Sequence, residues 1–145
     1  MVNIFSDGSC KKGKNGAFGF IVVKDSKIQL IFARREENTT NNQMEINGLL
    51  ASLIYVKKNK LNNVTIFTDS EYVSRGYNEW MHNWRKHSWK RADGQGIKNY
   101  DLWKKLVELY DYFEANKIKH TIQWVKSHST NKFNNKIDSI VQSLN

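Results

Sequence analysis

Two stretches far apart in the chain nearly repeat each other: Ile4-Phe5-Ser6-Asp7-Gly8-Ser9 and Ile66-Phe67-Thr68-Asp69-Ser70-Glu71. Each is a short, apolar, β-prone run closing on an aspartate and turn-forming residues, so each reads as a buried strand with a carboxylate at its carboxyl end. Between them, Phe20-Ile21-Val22-Val23 and Ile28-Gln29-Leu30-Ile31-Phe32 suggest a hairpin. Ile46, Leu49, Leu50, Leu53, Ile54 and Tyr55 then recur at three and four, the stripe of an amphipathic helix, with Asn42 as expected N-cap and Glu45 in the first turn. Strand, helix, strand implies a parallel βαβ crossover. In such sheets ligands gather at the carboxyl edge, which brings Asp7 and Asp69 together and places Glu45 within reach of the same point.

The rest of the chain extends the α/β pattern. Residues 70–101 look helical with a break near Arg91-Ala92-Asp93-Gly94-Gln95-Gly96, and Leu102 to Ala115 is a second helical segment. Ile118 to Val125 alternates like a strand, and Asn131 to Leu144 closes as a helix with Phe133, Ile137, Ile140, Val141 and Leu144 on one face. No repeat, linker or low-complexity tract divides it, so one domain over 1–145 is expected, with helices packed on a central mixed sheet.

Three carboxylates at one point repel, and their pKa values rise unless a cation neutralises them. Hard oxygen ligands, with a single cysteine (Cys10) and four histidines in the whole chain, favour Mg²⁺ or Mn²⁺ over zinc or copper. Either aspartate alone serves equally well as a cap after a strand; their repetition together with Glu45 favours a shared site.

The 23 Lys and Arg against 14 Asp and Glu give a net charge of +9, which suits a polyanionic partner such as nucleic acid or an anionic membrane surface. Five of those nine charges fall within residues 75–105, where Trp80 and Trp84 share a helical face flanked by Arg85, Lys86, Lys90 and Arg91. The same spacing fits a core stripe beneath solvated lysines. No run approaches the ~20 apolar residues of a membrane span, no leader segment is evident, and one thiol forms no internal disulfide, so a cytoplasmic protein is expected.

At this point the sequence resembles a known family, the type 1 ribonucleases H of the bacterial kind. The resemblance rests on Phe5-Ser6-Asp7-Gly8-Ser9-Cys10, Thr40-Asn41-Asn42-Gln43-Met44-Glu45, Thr68-Asp69-Ser70, Trp80-Met81-His82-Asn83-Trp84, Asn99-Tyr100-Asp101-Leu102-Trp103 and Trp124-Val125-Lys126-Ser127-His128, followed by Asn134 and Asp138. It implies a ribonuclease H-like α/β fold, a five-stranded mixed sheet flanked by helices. It also implies cleavage of the RNA strand of RNA–DNA hybrids by a monomer, leaving 5′-phosphate and 3′-hydroxyl ends.

By the same resemblance, Asp7, Glu45, Asp69 and Asp138 hold two Mg²⁺ ions, with Mn²⁺ a substitute, and His128 assists water activation or product release. Periodicity alone leaves Asp138 an ordinary polar residue. Tyr72, Trp80 and Trp84 are implied to face the DNA strand from a basic protrusion carrying Arg85, Lys86, Lys90 and Arg91. Asn41 and Asn42 match minor-groove contacts, and Thr40 and Asn99 match a phosphate-holding pocket in which Asn38 replaces the usual arginine. Asn134 joins the substrate-binding set. Glu71 and Ser127 depart from the family's neutral contact residue and glycine. A strand-transferase of the same fold, or a binding module without catalysis, are the alternatives.

Overall fold

A computed structural model describes residues 1–11, 15–127 and 130–145. Strands β1 (Val2–Cys10), β2 (Gly16–Lys24) and β3 (Lys27–Glu36) form an antiparallel meander. Asp25 and Ser26 both take positive φ, 52° and 62°, the backbone required by a two-residue turn that matches strand twist. Helix α1 (Asn41–Lys58) then carries the chain across one face to β4 (Val64–Thr68), which pairs in parallel with β1. Strand β5 (His120–Trp124) adds in parallel to β4, so the sheet order is β3-β2-β1-β4-β5. The expected hairpin, crossover and five-stranded mixed sheet are all present.

Alternation along the strands divides the core. Ile4, Phe20, Val22 and Ile66 pack with Leu49, Leu53, Trp103 and Leu106 on one face. Phe5, Ile21 and Val23 pack with Ile137 and Val141 on the other. The first face is covered by α1 and α4 (Tyr100–Ala115), the second by α5 (Lys132–Leu144), whose N-cap Asn131 accepts from the backbone N–H groups of Phe133 and Asn134. No helix among the described residues is long and apolar enough to cross a membrane.

Three local expectations are corrected. Asp7-Gly8-Ser9 is not a turn: β1 runs on to Cys10 because β2 pairs with it along its whole length, ending at Cys10↔Gly16, and this holds Asp7 inside the ladder. The N-cap of α1 is Thr40, not Asn42; Thr40 is extended and its side chain accepts from the Gln43 N–H, so Glu45 falls two residues further into the helix, beyond its first turn. The helix after β4 ends at Lys86, short of the break expected near Arg91. It comprises α2 (Glu71–Arg75), a π-helical turn (Gly76–Trp80) and α3 (Met81–Lys86). Beyond it Ser88 and Trp89 both adopt positive φ, which a continuing helix excludes.

Candidate active site

The site is built where α1 crosses β1 at unusually close range. A Cβ on Gly8 would collide with the backbone of Met44, and one on Gly48 would stand 2.7 Å from the Asp7 carbonyl oxygen. Two glycines, one on the strand against Met44 and one on the helix against Asp7, therefore let helix and strand backbones touch. That approach carries Glu45 down to the sheet, where its Oε1 accepts from the Gly8 N–H at 3.1 Å.

Asp69 arrives by register. Ser6 pairs with Thr68 in the parallel ladder, so the next residue on each strand is an aspartate. Together Asp7, Glu45 and Asp69 each offer a carboxylate oxygen within 4.8 Å of the others. Asp138 joins from α5, on the opposite layer, within hydrogen-bonding reach of Asp7. Nothing in its own helix distinguishes it; its neighbour Ile137 anchors α5 to the face of the sheet that also carries Phe5, two residues before Asp7.

Asp7 and Glu45 are buried, at 3% and 7% exposure, and Asp7 Oδ2 and Glu45 Oε2 accept no hydrogen bond. Burial raises the Asp7 carboxyl strongly, and the neighbouring Glu45, Asp69 and Asp138 raise it further. Burial likewise raises Glu45, with Asp69 adding to the shift, while bonds from Asp7, the Gly8 N–H and Ser70 partly oppose it. Orphaned buried oxygens in an all-carboxylate cluster are costly without a cation and favourable with one. The donor set fits a hard divalent ion.

The other implied residues fall into distinct settings. Asn41, Glu45, Asp69, Ser70 and Ser127 line a cleft at the carboxylates. Asn41 Oδ1 accepts from the Cys10 N–H at 3.3 Å, Asn42 is exposed, and Thr40 uses its hydroxyl to cap α1. His128 lies outside the described residues. Asn134 sits one turn before Asp138 on α5 and is 2% exposed, with Oδ1 buried and without a donor.

The aromatic segment meets both readings of its spacing. Trp80 and Trp84 lie 6.1 Å apart between ring centroids; Trp84 packs edge-on to the buried Trp103, while Arg75 lies over Trp80. Both tryptophans stay part-exposed. Of the four bases implied to contact substrate, Arg85 is bonded to Asp111 at 2.8 Å and Arg91 to Asp93 and Gln95, whereas Lys86 and Lys90 are exposed. Exposed pairs of this kind are worth about 0–1 kcal/mol, so they yield readily to a phosphate. Trp124, quoted above only as part of a motif and given no role, donates its Nε1–H to the Asp69 carbonyl at 3.1 Å and steadies that residue's backbone. Sequence reasoning also passed over Gly48, because a small residue on a helix stripe carries no hydrophobic signal.

Comparison with known proteins agrees with this geometry. The RNase H family model matches residues 1–144. The chain is 36% identical over 146 residues to the ribonuclease H of Vibrio vulnificus (strain YJ016), spanning 99% of this chain and 88% of the relative. It is 39% identical over 141 residues to that of Pseudomonas fluorescens (strain Pf0-1), spanning 96% and 86%. Among solved structures, LC9-RNase H1, a type 1 RNase H with the type 2 active-site motif, superposes with a TM-score of 0.76 at 25% identity over 98% of this chain and 70% of that one. The foamy viral protease-reverse transcriptase in complex with an RNA/DNA hybrid shares the fold, with a TM-score of 0.82 at 19% identity, covering 99% of this chain and 20% of the other. Carboxylates assembled from β1, α1, β4 and α5 on a sheet of this order, and relatives that match nearly end to end, place the chain in the ribonuclease H family.

Proposed function

We propose that this hydrolase cuts the RNA strand of RNA–DNA hybrids as a monomeric catalytic unit, with two Mg²⁺ ions held by Asp7, Glu45, Asp69 and Asp138 and 5′-phosphate and 3′-hydroxyl ends as products. The observation that carries the reading is the meeting of Asp7, Glu45 and Asp69 within 4.8 Å, with two buried oxygens left unbonded. Bound at such a site, divalent ions lower the pKa of water and stabilise charge on the attacking and leaving oxygens. The chain's own contribution is position. Gly8 and Gly48 set the distance between α1 and β1, the Gly8 N–H orients Glu45, and the parallel register delivers Asp69. No serine or cysteine nucleophile is required.

Substrate would lie along the basic segment that α3 begins. Trp80 and Trp84 offer part-exposed rings for sugar stacking, and Lys86 and Lys90 offer uncommitted charge for phosphates. Asn41 keeps its amide N–H₂ available for the minor groove while its oxygen is held by Cys10. His128 is assigned to proton transfer or product release.

The test is a labelled RNA–DNA hybrid incubated with and without Mg²⁺, beside the Asp69→Asn variant. Cleavage confined to the RNA strand and dependent on both metal and Asp69 supports the proposal. Nicking of duplex DNA would instead favour a strand-transferase, and binding without cleavage a non-catalytic module.

A further inference from the structure

The helical segment after β4 is widened at its middle, and the bonds that hold it so reach across to the edge of the sheet. In the π-helical turn Gly76–Trp80 the Met81 N–H reaches back to the Gly76 carbonyl, one residue further than in an α-helix. Val73, Tyr77 and Met81 are buried, at 0%, 2% and 0% exposure. Two steps of four residues advance about 80° beyond two full turns of an α-helix. The wide turn takes up that excess and keeps the three on one line against the core. Tyr72, Gly76 and Trp80 each precede a member of that line, so they form a second line beside it, and Trp84 extends it by four residues.

That second line is a part-exposed aromatic strip. Tyr72 and Trp80 lie 6.1 Å apart between ring centroids, and so do Trp80 and Trp84. Gly76 leaves the gap through which the buried Trp103 backs the strip: a Cβ there would collide with the Trp103 ring, which meets Tyr72 at 5.6 Å and Trp84 at 5.5 Å. Three side chains fix the wide turn. His82 Nε2 donates to the Tyr77 carbonyl at 3.0 Å, Tyr77 Oη lies 2.7 Å from His120 Nε2, and Asn78 Nδ2 donates to the Ile122 carbonyl at 3.0 Å. His120 and Ile122 belong to β5, the edge strand, and an edge leaves backbone groups without ladder partners. Tyr77 and His82 also pack on Tyr110. Asn78 is exposed, so its bond to the strand is no by-product of burial.

We infer that Asn78 is a positioning residue for the hybrid: its bond to the Ile122 carbonyl pins the π-helical turn to the edge of the sheet, and the pinned turn keeps Trp80 in line with Tyr72 and Trp84 as one stacking strip. This rests on the reading of Trp80 and Trp84 as rings against which the substrate backbone stacks. A regular α-helix would carry Trp80 about 80° away from Tyr72 and split the strip. A widened turn forgoes regular helix bonding, and such turns concentrate at functional sites. The residue that fixes this one touches no substrate; it acts through Trp80.

The experiment compares the parent with Asn78→Ala, Asn78→Leu, Trp80→Ala and the double variant of Asn78→Ala and Trp80→Ala, after thermal melts establish that each is folded. Steady-state cleavage of an RNA–DNA hybrid with Mg²⁺ gives KM and kcat, and near-UV circular dichroism without substrate reads the packing of the strip. Alanine and leucine lack the amide donor at two sizes. Both should raise KM by about twofold to tenfold, the range for one lost hydrogen bond, with kcat changed less than about twofold on the same scale, and both should alter the near-UV spectrum. In the Trp80→Ala background Asn78→Ala should raise KM no further. A parental KM in either Asn78 variant, an unaltered spectrum, a loss confined to kcat, or an equal rise in both backgrounds would overturn the role given to Asn78 while leaving Trp80 as a contact. A Trp80→Ala variant with parental KM would overturn the stacking reading itself.

Discussion

Replacing Asp7 by Asn should stabilise the metal-free protein while abolishing hydrolysis. Two unit charges at 4.8 Å, the outer separation in the carboxylate cluster, repel by about 3.5 kcal/mol at an effective dielectric of 20. The cluster avoids this by keeping protons, with Asp7 pushed up to about 10 and Glu45 to about 8. Unfolded carboxyls titrate near 3.8 and 4.5, so folding takes up protons at neutral pH. The stability these groups contribute is therefore complete below the unfolded values and is lost as pH rises toward the raised native ones.

Each such proton costs about 1.4 kcal/mol per pH unit, or about 3 kcal/mol between pH 5 and 7. An amide at position 7 keeps the shape and removes one titrating group. In EDTA at pH 7 the variant should exceed the parent by about 1–3 kcal/mol, each kcal/mol raising Tm by about 2–4 °C in a chain of this size. The gap should narrow at pH 5. Added Mg²⁺ should raise the parent's Tm and leave the variant's nearly unmoved. Thermal melts by circular dichroism across that pH range measure all three quantities. A variant no more stable than the parent at pH 7 without metal, or a gap that does not widen from pH 5 to 7, would refute the crowding on which the site depends.

Reversing Lys86 and Lys90 to Glu should weaken hybrid binding and flatten the dependence of log K on log salt by about 0.7–0.9 for each phosphate the protein no longer neutralises, measured by fluorescence anisotropy in Ca²⁺ to suppress turnover; an unaltered slope would place the footprint elsewhere. Gly8→Ala should cost several kcal/mol and most of the activity, because the new methyl meets the α1 backbone at Met44, which cannot move aside as a side chain would; near-parental Tm and kcat would contradict the close approach. His120, whose Nε2 lies 2.7 Å from the Tyr77 hydroxyl, is held below its usual pKa by burial. Its stabilising contribution is present above about 6.5 and is lost as pH falls through that value toward the lowered native one. His120→Phe should accordingly cost about 1–3 kcal/mol at pH 8, by leaving the buried Tyr77 hydroxyl unpaired, and lose less stability than the parent on acidification; urea titrations at pH 8 and 5.5 give both.

Much of this molecule is written locally. The paired Ile-Phe-Ser-Asp and Ile-Phe-Thr-Asp runs, with an apolar helical stripe between them, mark two strands and the helix that leads into the second, because strand period and helix period are properties of short segments. That is enough to bring Asp7, Glu45 and Asp69 to one edge. The net charge, and the crowding of bases around Trp80 and Trp84, likewise point toward a polyanion without any knowledge of the fold. Asp138 carries no such signal; family resemblance alone singles it out, since its importance comes from the layer α5 occupies and not from its own surroundings in the chain.

Tertiary structure alone decided the rest. It kept Asp7 in the ladder where a turn was expected, because β2 pairs beyond the point at which local preference would end β1. It turned Asn134 inward, tied Arg85 to Asp111 on α4, and bonded Asn78 to the Ile122 carbonyl of β5. Each outcome depends on which backbones touch and which donors face which acceptors across segments remote in the chain. Periodicity fixes the face a residue occupies; only packing fixes what stands opposite it.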